Sequence, residues 1–238
     1  MTAQHFFAPD VSGARVTLTG DEARHAVRVL RVRPGEKITV SDGRGDVVTA
    51  TVAEAEIDLV ADVTGRRSEA ASRPRLHVFA AIPKAGKLDL VVQKLTELGV
   101  DVIQPFAAAR SVARWNERKG ATQTDRLAAI ARESAKQSRR AWLPEVLTPG
   151  TLDALELPAP SFVLDEGSVA GLRESLPRQA PEAIGLVIGP EGGLDREEVA
   201  ALAGRGAVAV SLGPLILRTE TAALVAAAVT LVRYGRLG

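Results

Sequence analysis

From residue 76 onward the chain alternates short, almost wholly apolar runs with longer runs of helical spacing. That rhythm restricts the fold more than any other feature. LHVFAAIP (76–83), VDVIQPF (100–106), SFVLDE (161–166), AIGLVIGP (183–190) and AVAVSLGP (207–214) lack the in–out alternation of a strand with one wet face. A strand apolar on both sides is buried on both sides. KLDLVVQKLTELG (87–99), closing on a glycine, and TQTDRLAAIARESAKQSRRA (122–141) read as helices between such strands. Buried strands separated by helices indicate a mostly parallel sheet covered on two faces, hence an α/β domain.

The first third reads differently. ARVTL (14–18), EKITVSD (36–42) and DVVTATVAEA (46–55) alternate apolar and polar residues, separated by turn signals such as Pro34-Gly35 and Asp42-Gly43. Thr19 followed by Glu22 predicts a capping box. Ala23, Ala26, Val27 and Leu30 then form one helical stripe, with Arg24, Arg28 and Arg31 on another. TGRRSEAASRPR (64–75) is small, polar and basic and reads as a linker. Two domains are expected: a β-rich one over residues 1–70 and an α/β one over 74–238.

Two of the apolar strands end in Gly-Pro turns. GLVIGPEGGLDREEV (185–199) runs from strand to glycine turn to a new helix beginning at Asp195. VSLGPLILRTETAALVA (210–226) repeats the geometry and enters a helix, 222–232, that is apolar on every face and must be buried all round. Ligands of open α/β sheets bind at this carboxyl edge, and glycine lets a ligand approach the backbone. A tight strand–helix connection would use the same residues. Neither Gly-x-x-x-x-Gly-Lys-Ser/Thr nor Gly-x-Gly-x-x-Gly occurs. Glu191 would repel a polyphosphate, so a neutral or cationic ligand with hydrogen-bonding edges fits better.

Composition narrows the chemistry. There is no cysteine, which removes disulfides, thiolate metal sites and every mechanism that needs a cysteine nucleophile. His5, His25 and His77 lack metal-ligand spacing, so no metal is expected. MTAQHFFAPD has no charged n-region or apolar h-region, and no apolar run reaches the roughly 20 residues that span a bilayer. A cytoplasmic location without membrane attachment is expected. Lys plus Arg number 30 against 29 Asp plus Glu, a balance that hides local clusters of arginine.

LVIGPEGGLDREEV and VSLGPLILRTETAALVA together resemble the paired motifs of the SPOUT methyltransferases, specifically the RsmE type, which methylates N3 of one uridine in small-subunit (16S) ribosomal RNA. HAVRVLRVRPGEKITVSDGRG, KLTELGVDVIQPF with ARSV, and ESAKQSRRAWLPEV extend the resemblance over nearly the whole chain. It implies a PUA-like RNA-binding domain followed by a trefoil-knotted methyltransferase domain, S-adenosylmethionine as methyl donor, and a homodimer. Carried over by motif, the cofactor pocket comprises Leu164, Gly189, Pro190, Glu191, Gly192 and Gly193, closed by Ser211, Leu212, Gly213, Leu217, Arg218, Thr219 and Thr221.

Uridine N3 carries a proton at neutral pH, so methylation there needs a proton acceptor and a cation for the charge spreading onto O2 and O4. Arg218 is the candidate cation. Glu220 is either the proton acceptor or a first-turn charge favouring the helix dipole. Arg24, Arg28, Arg31 and Arg33, with Arg110, Arg114, Arg132, Arg139 and Arg140 in the larger domain, are candidate phosphate contacts. Aromatic residues make up 3% of the chain, too few for base stacking to dominate, which favours structured RNA in an assembled 30S particle. Trp115 and Trp142 are read as core or interface residues. The alternative function is a non-catalytic RNA-binding or ribosome-assembly factor that retains the fold.

Overall fold

The computed structural model describes residues 3–83, 87–111 and 117–238. Arg114 and Trp115 lie outside them. The chain divides into two compact units, one of residues 1–71 with 135–143, the other of 72–134 with 144–238.

In the first unit, β1 (Gln4–Phe7) and β2 (Arg15–Leu18) precede the short helix α1 (Gly20–Arg24). β3 (Lys37–Ser41), β4 (Asp46–Ala55) and β5 (Leu59–Ser68) follow. The sheet order is β1-β3-β4-β5-β2, with β1 parallel to β3 and the other pairs antiparallel. The inward positions, among them Phe6, Leu18, Ile38, Val40, Ala50 and Leu59, close over Ala23 and Ala26 as one core. Two register shifts in the β4–β5 ladder bend this pair.

Three local readings are corrected here. The segment read as a linker from Thr64 begins as strand: Gly65, Arg66, Arg67 and Ser68 pair with Thr49, Val48, Val47 and Asp46. Backbone pairing there needs no apolar side chains, because the residues from Gly65 to Ser68 are exposed. The capping box at Thr19 does not form: Thr19 makes no side-chain cap bond, and Glu22 Oε1 instead accepts the Phe7 N–H at 3.0 Å. Finally, α1 continues as a π-helical turn over His25–Val29 and stops. Arg31 sits beyond it at φ 55°, off the stripe of Arg24 and Arg28.

The second unit holds β6 (Arg75–Ala81), α2 (Lys87–Leu98), β7 (Val102–Ala107), α3 (Glu117–Gln137), β8 (Glu145–Val146), β9 (Gly150–Thr151) and β10 (Ser161–Leu164). The rest is α4 (Leu172–Ser175), β11 (Ala183–Ile188), α5 (Arg196–Gly204), β12 (Ala207–Val210) and α6 (Thr219–Arg233). Every pairing in its sheet is parallel, in the order β12-β10-β11-β6-β7-β8, with β9 also beside β7. Successive side chains of a strand point to opposite faces, and both faces are covered. Leu76, Val78 and Ala80 of β6 pack with Val92, Leu95, Ala223 and Ala227, while Phe79 and Ala81 pack with Leu155 and Leu202. The unalternated strands therefore have the predicted cause.

α2 ends as its glycine predicts: Gly99 adopts φ 100°, its N–H bonds Thr96 O at 3.0 Å, and Val100 N–H bonds Leu95 O at 3.0 Å. α3 stops at Gln137 rather than reaching Ala141, with Arg139 at φ 56° taking the position glycine usually fills. The residues after it belong to the first unit. There Ser41 Oγ donates to Ala141 O at 2.8 Å and Trp142 Nε1 donates to Glu69 O at 2.9 Å. Arg139 and Arg140, read as basic groups of the larger domain, thus belong to the smaller unit. α6 buries Ala223, Ala226, Ala227, Thr230 and Leu231 but leaves Val232 57% exposed and Leu224, Val225 and Val229 half-buried. In the single chain it is not enclosed on every side.

Candidate functional site

Passing from β11 to β12 the chain crosses β10, which lies between them in the sheet. Crossing points of this kind leave a crevice beyond the carboxyl ends of the strands. A cavity of about 300 Å³ occupies it, at the small end of the range for small-molecule sites. Both glycine turns line it, as their repeated geometry suggests. Leu164, Gly189, Pro190, Glu191, Gly192, Gly193, Ser211, Leu212, Gly213, Leu217, Arg218 and Thr219 all border it. Thr221 and Glu220 do not, and Thr221 is exposed.

Each turn is built by its own residues. In the first, Gly193 N–H bonds Pro190 O at 2.9 Å and Gly193 adopts φ 69°. A Cβ on Gly189 would stand 3.0 Å from Leu194 N and 3.2 Å from Gly193 C, so a side chain there would require the turn to give by a few tenths of an ångström. In the second, Ser211 Oγ accepts from Gly213 N–H at 3.1 Å, and Gly213 adopts φ 120°. A genuine capping box follows the first turn. Asp195 Oδ1 accepts Glu198 N–H at 2.8 Å and Glu198 Oε2 accepts Asp195 N–H at 2.9 Å. The N-terminus of α5 is thus filled by the protein's own carboxylates, leaving no phosphate cradle.

Several cavity residues carried no motif signal. Asp165 and Glu166, which follow β10, line the cavity together with Glu191, Arg110 and Arg218. With Lys87 Nζ 3.6 Å from Glu191, the site carries charges of both signs and suits a ligand that also carries both. Arg110, read as a phosphate contact, borders the cavity and donates from Nη1 to Gly192 O at 2.7 Å. Next to it Ala109 N–H bonds Glu198 Oε1 at 2.7 Å, tying the segment after β7 to the start of α5. Leu215 and Ile216, 78% and 84% exposed, sit on the rim. Asp165 and Glu166 could have been suspected only from the strand order, since β10, which they follow, lies between β11 and β12.

Glu220 points away from the cavity wall toward Lys87, with Oε1 3.3 Å from Nζ. A hydrogen bond from its own backbone N–H, together with Lys87 and Arg218, holds its carboxyl below the ordinary carboxylate range. Among the described residues no cluster of His, Asp or Glu could hold a metal ion, and no helix is long and apolar enough to cross a membrane.

Comparison with known proteins follows the same division. Residues 70–231 match the family described as RNA methyltransferase domain, and residues 18–61 match the RNA methyltransferase PUA domain. The chain belongs to the RNA methyltransferase family. It is 38% identical to ribosomal RNA small subunit methyltransferase E of Mycobacterium bovis, over 95% of this chain and 90% of that one. The Neisseria gonorrhoeae enzyme of the same name, in a structure bound to S-adenosylmethionine, superposes with a TM-score of 0.86 at 30% identity over 98% of both chains. A Legionella pneumophila structure holding that cofactor superposes with a TM-score of 0.87 at 28% identity, again over 98% of both. The RsmE-type resemblance drawn from the two glycine motifs is borne out, as is the fold class: a PUA-like domain followed by a mostly parallel α/β methyltransferase domain.

Proposed function

We propose that this protein transfers a methyl group from S-adenosylmethionine to N3 of a uridine in small-subunit ribosomal RNA. The carrying observation is the cavity lined by both glycine turns at the carboxyl ends of β10, β11 and β12, in a chain of the RNA methyltransferase family. The donor set suits the cofactor. Backbone groups of Gly189–Gly193 and Ser211–Gly213 would hold its polar edges, and Asp165, Glu166 and Glu191 suit its net positive charge. When bound, the cofactor supplies an electrophilic methyl group on a sulfonium.

Arg218 stands at the N-cap position of α6 and lines the cavity. Its guanidinium would orient the uracil and hold the negative charge that builds on O2 and O4 as N3 loses its proton. Preorganised cations act there without reorganisation at the moment of reaction. Arg24, Arg28, Arg31 and Arg33 are exposed in the PUA-like unit, as is Arg139, with Arg140 half-buried. These would contact phosphates and position the RNA, presented by an assembled 30S particle. Arg110, held at Gly192, belongs to the cofactor cavity. The half-exposed apolar side of α6 supports a homodimer. A trefoil knot and a cytoplasmic location complete the reading.

The test is incubation with methyl-labelled S-adenosylmethionine and small subunits from cells lacking the activity, then nucleoside mass spectrometry. Label is expected in 3-methyluridine, falling about 100-fold or more in rate for Arg218→Ala while cofactor binding persists. Cofactor binding with label in another nucleoside would overturn the uridine assignment. No cofactor binding would replace the enzyme with an RNA-binding assembly factor.

A further inference from the structure

Lys87 opens α2, where the helix presents the positive end of its dipole and acidic side chains are the stabilising choice. A cation there calls for a tertiary reason. Its Nζ lies 3.6 Å from Glu191 Oε1, in the turn after β11, and 3.3 Å from Glu220 Oε1, in the first turn of α6. α2 and α6 pack against each other. One ammonium therefore joins the two segments that wall the cavity. The three side chains are 34%, 28% and 15% exposed for Lys87, Glu191 and Glu220, withdrawn enough from water for the pairing to count.

We propose that Lys87 is a positioning residue that fastens the Pro190–Gly193 turn to the start of α6 and so sets the width of the cofactor cavity. This rests on the reading of that cavity as the S-adenosylmethionine site. Glu220 is then the anchor of the fastening and not the proton acceptor. Its carboxylate stands outside the cavity lining and is committed to an ammonium. Without that ammonium, Glu191 and Glu220 become two facing carboxylates whose repulsion pushes the turn outward. Among the described residues, charged groups nearby include Arg218, beside Glu220 at the start of α6, Arg110, whose guanidinium holds the same turn at Gly192 O, 2.7 Å away, and the cavity-lining Asp165 and Glu166. None bridges the two carboxylates in the way Lys87 does.

Cofactor binding is measured by titration calorimetry between about pH 5.5 and about pH 8, above the ordinary carboxylate range, for wild type, Lys87→Met, Lys87→Arg and the double variant Lys87→Met/Glu220→Gln. Thermal melts check that each variant is folded. Wild-type binding tests the site reading by itself, and its absence removes that reading rather than the fastening. Lys87→Met is expected to bind about tenfold more weakly than wild type. Glu220→Gln in the same background restores most of the affinity, and Lys87→Arg stays within about threefold of wild type. A Lys87→Met variant that binds like wild type overturns the proposal. So does a loss unrelieved by Glu220→Gln. Should Lys87→Met not fold, Glu220→Gln alone decides: the proposal requires KM for the cofactor to rise more than kcat falls. A collapse of kcat with KM unchanged makes Glu220 the base.

Discussion

Gly189→Ala isolates the close approach on which the first glycine turn depends. The added Cβ would meet Leu194 N at 3.0 Å, Leu194 Cγ at 3.1 Å and Gly193 C at 3.2 Å, against the 3.4 Å at which ordinary contact begins. Two of these are backbone atoms, so no rotamer change relieves them and the turn must open by a few tenths of an ångström. Gly189 is not among the glycines with positive φ, so the penalty is steric rather than conformational. Overpacking of this kind costs about 1–3 kcal/mol. If the bound state carries that strain, cofactor affinity falls about 5- to 150-fold. Calorimetric titration with S-adenosylmethionine measures it, beside a thermal melt. Gly204→Ala is the control: a Cβ there meets nothing within 4 Å, and the residue closes α5. It should leave binding intact and add up to about 0.5–1 kcal/mol of stability. Gly189→Ala binding the cofactor as wild type does would refute the argument that this turn has no room to give.

Two further outcomes concern the fold. Arg236 Nη1 and Nη2 lie 2.6 and 3.1 Å from the Asp101 carboxylate, and the guanidinium also donates to Pro74 O and Gly99 O. Asp101→Ala leaves that cation largely buried without its counter-charge and should cost about 3 kcal/mol in urea unfolding; a loss below about 1 kcal/mol would show the pair to be solvated. Burial pushes both His5 and His77 below their ordinary value of 6.5. The unfolded chain therefore binds more protons than the folded one just below pH 6.5, so stability is full above that value and declines on acidification. His5→Gln should flatten part of this decline, and an unchanged slope would exclude His5 as a contributor.

Much of the architecture was legible because it depends on local rules. A strand buried on two faces must be apolar at successive positions, which marked β6, β7, β10, β11 and β12 before any neighbour was known. Gly99, Gly193 and Gly213 stand where the backbone takes positive φ, a demand that one residue type meets cheaply. The smaller unit was harder to delimit. Residues 65–68 pair through backbone alone, and α3 ends on a left-handed arginine, so neither boundary carries a side-chain signal.

The site divides along the same line. The two glycine turns could be found from sequence because they are contiguous motifs with fixed backbone geometry. That they share one cavity follows from the order β12-β10-β11, which no local pattern encodes. The full order β12-β10-β11-β6-β7 brings Asp165 and Glu166 beside the turns, Arg110 onto Gly192, and Lys87 between Glu191 and Glu220. Thr19 and Glu22 have capping-box spacing, yet Glu22 bonds Phe7 instead. Sequence by itself determined which backbone shapes the chain can adopt, since sterics and burial act residue by residue. Which charges meet was decided by the tertiary structure alone, because a salt bridge depends on distance in space and a side chain's type records only its capacity to form one.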